Sequence, residues 1–259
     1  MPLRDGAPPG SPCWADLSTS DPGQARAFYA ELLGWEASEP DLELGGYFNF
    51  IKDGAVVAGC MAAGPGTTPN EWTVYLATDD ADATVEAARA CGGEVLVPAT
   101  PVAKLGTMAV VADPGNATIG IWQPDLHRGF GRVWDVGSPR WFELYTRDYR
   151  AAVSFYRDVF KLEARAMTET PSFRYTTLRN DGQDVAGIMD GTGYLPAWAA
   201  PYWTVYFAVT EEAFDAVTDL GGRLVEPPES TRYGPVATVA DPMGAQFKLV
   251  ALREAPAPG

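Results

Sequence analysis

The chain has 259 residues, 46% hydrophobic and 20% charged, and its 34 acidic against 19 basic side chains give a formal charge of −15. A balance this acidic repels phosphate backbones and anionic lipid surfaces, which argues against nucleic acid and membrane partners, and no apolar run approaches the roughly 18 residues needed to span a bilayer. At roughly 100 to 200 residues per domain, the length implies about two domains.

Residues 1–12 (MPLRDGAPPGSP) carry no apolar stretch and read as a flexible lead-in without a signal peptide, which places the protein in the cytoplasm. The three cysteines, Cys13, Cys60 and Cys91, are widely spaced and contain no CxxC, so they read as small buried hydrophobes. A first strand over 14–19 ends before Asp21, a residue suited to cap the helix that follows. In that helix Ala25, Phe28, Tyr29 and Leu32 fall at i, i+3, i+4 and i+7, so one face packs on a sheet. Strands around Tyr47 and Ala55 flank Asp53-Gly54, a hairpin signal. A second unit starts with a strand at Trp72, runs through a helix of about 12 residues stopped by Gly92-Gly93, and closes with strands ending at Trp122.

From 124 to 138 the periodicity disappears and Gly, Pro and charge accumulate, which marks a linker with the boundary near Gly131. The single histidine, His127, lies there and reads as a solvated residue. The first grammar then returns. Residues 14–36 (WADLSTSDPGQARAFYAELLGWE) align with 141–163 (WFELYTRDYRAAVSFYRDVFKLE), WTVYLA at 72–77 with WTVYFA at 203–208, Gly92-Gly93 with Gly221-Gly222, and Ala112-Asp113-Pro114 with Ala240-Asp241-Pro242. Order is kept throughout, so a whole domain was duplicated. Asp148 stands in for Asp21, and Asp181-Gly182 for Asp53-Gly54. The expected organisation is α+β: four βαβββ modules forming two domains, 13–123 and 139–252, with a flexible tail at 253–259.

A D-x-x-x-A-x-x-F-Y run after a first strand, Gly-Gly after a second helix and Ala-Asp-Pro before a last strand, all present twice, resemble the vicinal oxygen chelate superfamily of glyoxalase I, bleomycin-resistance proteins and extradiol dioxygenases. The resemblance implies curved mixed sheets around a cavity, and a divalent metal held by side chains of the first and last strands of each module. Carried onto this chain, those positions are Ala15, Ala58, Thr73 and Gly120 in the first half and Phe142, Ala186, Thr204 and Lys248 in the second, none an adequate ligand set. Asp16 and Glu143 lie one residue beyond the expected first-strand position, on the opposite face unless the register slips.

Alternation makes Ala15, Ala58, Thr73, Tyr75, Gly120 and Trp122 the candidate cavity lining of the first half, and Phe142, Thr204, Tyr206, Gln246 and Lys248 that of the second. Small residues leave the first cavity roomier and neutral, whereas Phe142 and Lys248 narrow the second and charge it. The reading is a small-molecule binder with no metal or other cofactor. The alternatives are a metal-dependent lyase or dioxygenase, and an interaction protein with vestigial pockets. GxGxxG, GxxxxGK[ST], HExxH and GxSxG are absent, so nucleotide, P-loop, zinc-protease and α/β-hydrolase chemistry have no support.

Overall fold

A computed structural model describes residues 4–65, 69–170 and 172–252; the tail at 253–259 lies outside them. The first half contains β1 (Pro12–Thr19), α1 (Pro22–Leu33), β2 (Glu36–Ala37), β3 (Phe48–Lys52), β4 (Ala55–Ala62), β5 (Glu71–Ala77), α2 (Ala81–Ala90), β6 (Glu94–Val102), β7 (Gly106–Ala112) and β8 (Thr118–Pro124). The second repeats the order as β9 (Pro139–Thr146), α3 (Tyr149–Phe160), β10 (Glu163–Glu169), β11 (Arg174–Asn180), β12 (Gln183–Asp190), β13 (Tyr202–Val209), α4 (Ala213–Asp219), β14 (Arg223–Thr231), β15 (Gly234–Ala240) and β16 (Gln246–Ala251). Each half forms one open eight-stranded sheet, ordered β2-β3-β4-β1-β5-β8-β7-β6 and β10-β11-β12-β9-β13-β16-β15-β14. The modules therefore pair within a half, joined where β1 runs antiparallel to β5 and β9 to β13.

Local signals explain the elements. Asp21 accepts from the Gln24 N–H and Gly34 ends α1 in the left-handed region. Asp53-Gly54 and Asp181-Gly182 hold positive φ at both residues (48° and 78°, 47° and 74°), the backbone a type I′ hairpin requires. Asp148 departs from expectation, because it makes no side-chain cap bond to α3.

The halves meet through their helix-bearing faces. Tyr29 of α1, fully buried, donates from its hydroxyl to Oδ2 of Asp241 at 3.1 Å, and Tyr156 of α3 donates in the same way to Oδ2 of Asp113 at 3.2 Å. Each aspartate uses Oδ1 for its own turn, accepting from Gly115 and Ala117 or from Met243 and Ala245. Around these bonds Phe207 packs edge-on against Trp35 and Trp72, at 5.1 and 5.4 Å between ring centroids, and Tyr29 lies 5.6 Å from Phe247. The second glycine of each Gly-Gly pair is part of the same seam. A Cβ on Gly93 would lie 2.8 Å from the Phe155 ring, and one on Gly222 3.0 Å from Phe28. The matching first glycines, Gly92 and Gly221, hold φ of 86° and 85° where the helices end.

Tyr29→Phe and Tyr156→Phe each remove one donor from a buried carboxylate, so each should lower the unfolding free energy by about 1–3 kcal/mol in urea denaturation. A loss below about 0.5 kcal/mol would show that the turn N–H groups alone satisfy the aspartates.

Candidate functional site

Cross-strand partners share a face, so the register decides which side chains leave the helices behind. Asp16 is opposite Gly59 on β4 and Thr73 on β5, while Trp14 is opposite Tyr75, itself beside Gly120. The helix-free face of the first sheet therefore carries Trp14, Asp16, Gly59, Thr73, Tyr75, Gly120 and Trp122. Ala15 pairs with Val74 and Ala58 with Phe50, so both belong to the helix-packed face, contrary to the expectation from sequence. The second sheet follows suit. Glu143 is opposite Thr204 and Gly187, and Tyr206 is beside Lys248, but Phe142 pairs with Val205 and Ala186 with Leu178. Phe142 points away from the candidate face and stacks on Phe130 of the linker at 5.6 Å. The one-residue shift brings in the acids and sends out Ala15 and Phe142.

In the first half, Asp16 Oδ1 accepts from Trp14 Nε1 at 2.7 Å and from the Tyr47 hydroxyl at 2.6 Å, and Tyr75 bonds the same carboxylate. Burial raises the Asp16 pKa, and the three donors oppose that shift. Gly59 is there because nothing larger fits: a Cβ would lie 1.8 Å from the Tyr47 hydroxyl and 2.2 Å from Asp16 Oδ1. Gly120 leaves no open space either, since the Tyr75 ring would stand 2.2 Å from its Cβ. The roomier first cavity expected from small residues is thus occupied by Tyr75, Tyr47 and Trp14.

The second half keeps the plan with more phenols. Glu143, 4% exposed, accepts from the Tyr206 hydroxyl and is bonded also by Tyr145 and Tyr175. Trp141 Nε1 donates to the Tyr175 hydroxyl at 3.1 Å, and the Tyr145 and Tyr206 hydroxyls are 3.4 Å apart. Lys248 is buried, with Nζ 3.5 Å from Glu226 Oε2 and over the Tyr145 and Tyr206 rings at 4.9 and 5.8 Å. Its charge is therefore already paired. Gln246, two residues earlier on β16, is exposed.

The metal implied by the resemblance does not suit these side chains. With the register corrected, each half offers one carboxylate among Gly59, Thr73 and Gly120 or Gly187, Thr204 and Lys248, and that carboxylate is taken by tyrosine hydroxyls. An ammonium at Lys248 would also repel a cation. Among the described residues no group of three or more His, Cys, Asp or Glu side chains could hold an ion.

Several contributors escaped sequence reasoning: Trp14, Tyr47, Trp141, Tyr145 and Tyr175. The repeat held a signal for two of them, because Trp-x-acid recurs as Trp14/Asp16 and Trp141/Glu143, and residues two apart on a strand share a face. His127 also departs from expectation. Its ring meets Trp14 edge-on at 4.3 Å and lies 5.6 Å from Trp122, whose Nε1 donates to the His127 carbonyl at 2.8 Å. Its Nε2 is buried without a partner among the described residues, and burial lowers its pKa from the ordinary 6.5 to about 4. A lowered folded-state pKa means that the imidazole's contribution to stability is fully present above about 6.5 and is lost as pH falls towards 4. As the chain has one histidine, a proton NMR titration reads it directly; a midpoint near 4 is expected, and one near 6.5 would show an open linker.

Two family profiles match in tandem: Glyoxalase-like domain over residues 14–120, and Glyoxalase/Bleomycin resistance protein/Dioxygenase superfamily over 139–249. The chain is 33% identical to CFP32 of Mycobacterium tuberculosis, over 96% of this chain and 98% of that protein. It is 36% identical to the anthracycline biosynthesis protein DnrV of Streptomyces peucetius, over 95% and 94%. Its fold matches the Mn(II)-bound glyoxalase from Novosphingobium aromaticivorans with a TM-score of 0.65 at 16% identity, covering 95% of this chain and 84% of that one. A catechol 2,3-dioxygenase matches with a TM-score of 0.63 at 16% identity, covering 97% and 91%. The chain belongs to the glyoxalase/bleomycin resistance/dioxygenase superfamily, in a duplicated form with one such domain in each half.

Proposed function

We propose that the chain binds a small aromatic molecule bearing hydroxyl or carbonyl groups on the helix-free face of its first half, without a metal. One observation carries the reading. Three buried polar atoms without hydrogen-bond partners among the described residues, Ser18 Oγ, Asn49 Oδ1 and His127 Nε2, lie on or against this one face. Ser18 follows Asp16 by two residues on β1, Asn49 is opposite Gly59 in the cross-strand row of Asp16, and His127 covers Trp14. Buried polar atoms are ordinarily satisfied, and each one left alone costs about 1–3 kcal/mol. A ligand that supplies hydroxyl and carbonyl groups relieves that cost, and the buried rings of Trp14, Tyr75 and Trp122 give the face the aromatic surroundings that its apolar part needs.

The name of DnrV as an anthracycline biosynthesis protein supports a flat, polyhydroxylated ligand, since anthracyclines have that chemistry. A partner of this size also accords with the acidic charge, which disfavours nucleic acid, and with the finding that no helix among the described residues is long and apolar enough to cross a membrane.

A second reading, catalysis on the other sheet, draws on the convergence of Tyr145, Tyr175 and Tyr206 on Glu143 beside the Lys248 ammonium. There Glu143 would move a proton and the phenols and ammonium would stabilise developing negative charge.

Tryptophan fluorescence titration with a hydroxyanthraquinone tests the binding reading. Saturable quenching that survives treatment with a chelator is expected. Asn49→Ala and His127→Ala should each weaken affinity about tenfold, roughly 1.4 kcal/mol, while Lys248→Met should leave it unchanged. Stoichiometric metal lost to the chelator together with binding would overturn the reading. Binding weakened only by Lys248→Met would move the ligand to the second half.

A further inference from the structure

Away from both helix-free faces, a cavity of about 60 Å³ opens where three segments meet. The N-terminal arm contributes Arg4, Ser11 and Pro12, the linker Val133 and Trp134, and the second half Arg140, Phe142 and Val185. The arm is fixed in place: Arg4 N donates to the Gly131 carbonyl at 2.9 Å, and Asn180 Nδ2 donates to the Pro9 carbonyl at 2.6 Å and to Ser11 Oγ at 2.9 Å.

Among the described residues, two cations line this space without an anion. Arg4 Nε donates to the Gly6 carbonyl, while its terminal nitrogens have no partner among the described residues, and the Arg140 guanidinium lies over the Trp134 ring at 4.4 Å. Neither has a carboxylate partner among the described residues; the ionisable groups they feel are the Cys13 thiol and the Tyr233 phenol. Burial lowers the pKa of both guanidinium groups. In a chain with 34 acidic and 19 basic side chains, two desolvated and unpaired arginines on one cavity need an explanation. Ser11, 2% exposed, accepts from Asn180 and keeps its hydroxyl hydrogen to donate.

We propose that this inter-domain cavity is a binding site for a short aliphatic carboxylate, its head between Arg4, Arg140 and Ser11 and its tail against Phe142, Val133 and Val185. Size selects the chain length. A water needs about 10–15 Å³, so this space takes roughly four to six heavy atoms, the range from acetate to butyrate. The apolar lining selects a carboxylate with a tail over inorganic phosphate, and the guanidinium fork suits a carboxylate head. The site is separate from the proposed aromatic ligand, because Phe142 and Glu143 leave β9 on opposite faces.

Calorimetry with sodium propionate against sodium chloride at equal ionic strength is the test, with propionamide as the uncharged isostere. Saturable heat with propionate and none with propionamide is expected; octanoate, too long for the cavity, should bind at least tenfold more weakly. Arg4→Gln and Arg140→Gln should each weaken propionate binding at least tenfold, and Lys104→Gln should not change it. Should either arginine variant fail to fold, the wild-type protein still decides: propionate should protect Arg4 and Arg140 from butanedione, read by peptide mass. Equal modification with and without propionate, equal binding of propionamide, or full affinity in the double glutamine variant would overturn the proposal.

Discussion

The paired hydrogen bonds from Tyr29 to Asp241 and from Tyr156 to Asp113 are the constraint on which the two-domain arrangement rests. Each joins a helix of one half to the Asp-Pro turn of the other, with both partners buried. A carboxylate removed from water needs donors on every lone pair it exposes, and these aspartates divide theirs between their own turn and the opposite half. The turn and the interface therefore form together. The three motifs that mark the family in this sequence, Phe-Tyr, Gly-Gly and Ala-Asp-Pro, all converge on this seam: Phe28 meets Gly222, Tyr29 meets Asp241, and Phe155 meets Gly93. They encode how halves pack, and so they leave the chemistry of the exposed faces free to vary.

Freed of the helices, the opposite faces follow a different logic. Each centres on one acid, Asp16 or Glu143, whose negative charge would be satisfied by a cation in a metal site. Here tyrosine hydroxyls and an indole N–H perform that task. Such donors fix the carboxylate in place yet add no positive charge, so the first face is a hydrogen-bonding surface centred on an acid. Its polar atoms are over-supplied relative to their partners, a condition that suits recognition of a ligand's own donors and acceptors.

Much of the architecture was legible because it rests on short-range rules. Asp53-Gly54 and Asp181-Gly182 made their turns, the i, i+3, i+4 spacing placed Phe28 and Tyr29 on a packed face, and the internal repeat disclosed the duplication. The faces of β1 and β9 were not legible, because pairing register is a long-range property and a slip of one residue inverts every side chain on a strand. Carrying the family positions onto β1 put Ala15 on the open face, whereas pairing with Val74 puts it beneath the helix. His127 was misread for a related reason: polar composition made its segment look solvated, and only the fold brings Trp14 and Trp122 against its ring. Asp148 shows that even a local rule yields: at φ −89° and ψ 47° its backbone departs from the extended conformation of Asp21, and its side chain makes no cap bond.

The two copies also show where divergence was tolerated. Gly59 and Gly187 are retained because each lies beneath a Tyr hydroxyl, Tyr47 or Tyr175, that reaches the central acid, and a methyl group there would sever that bond. One strand pair away the copies differ, with Gly120 beside Tyr75 and Lys248 beside Tyr206. Without a side chain at 120, the Tyr75 ring lies over the backbone. With lysine at 248, the ammonium stands over the rings of Tyr145 and Tyr206 while pairing with Glu226. One small-to-long difference thus adds a paired cation beside the acid of the second half, on otherwise matching strands. Shared packing at 59 and 187 keeps the acids in place, and the change between 120 and 248 gives the two faces different charge.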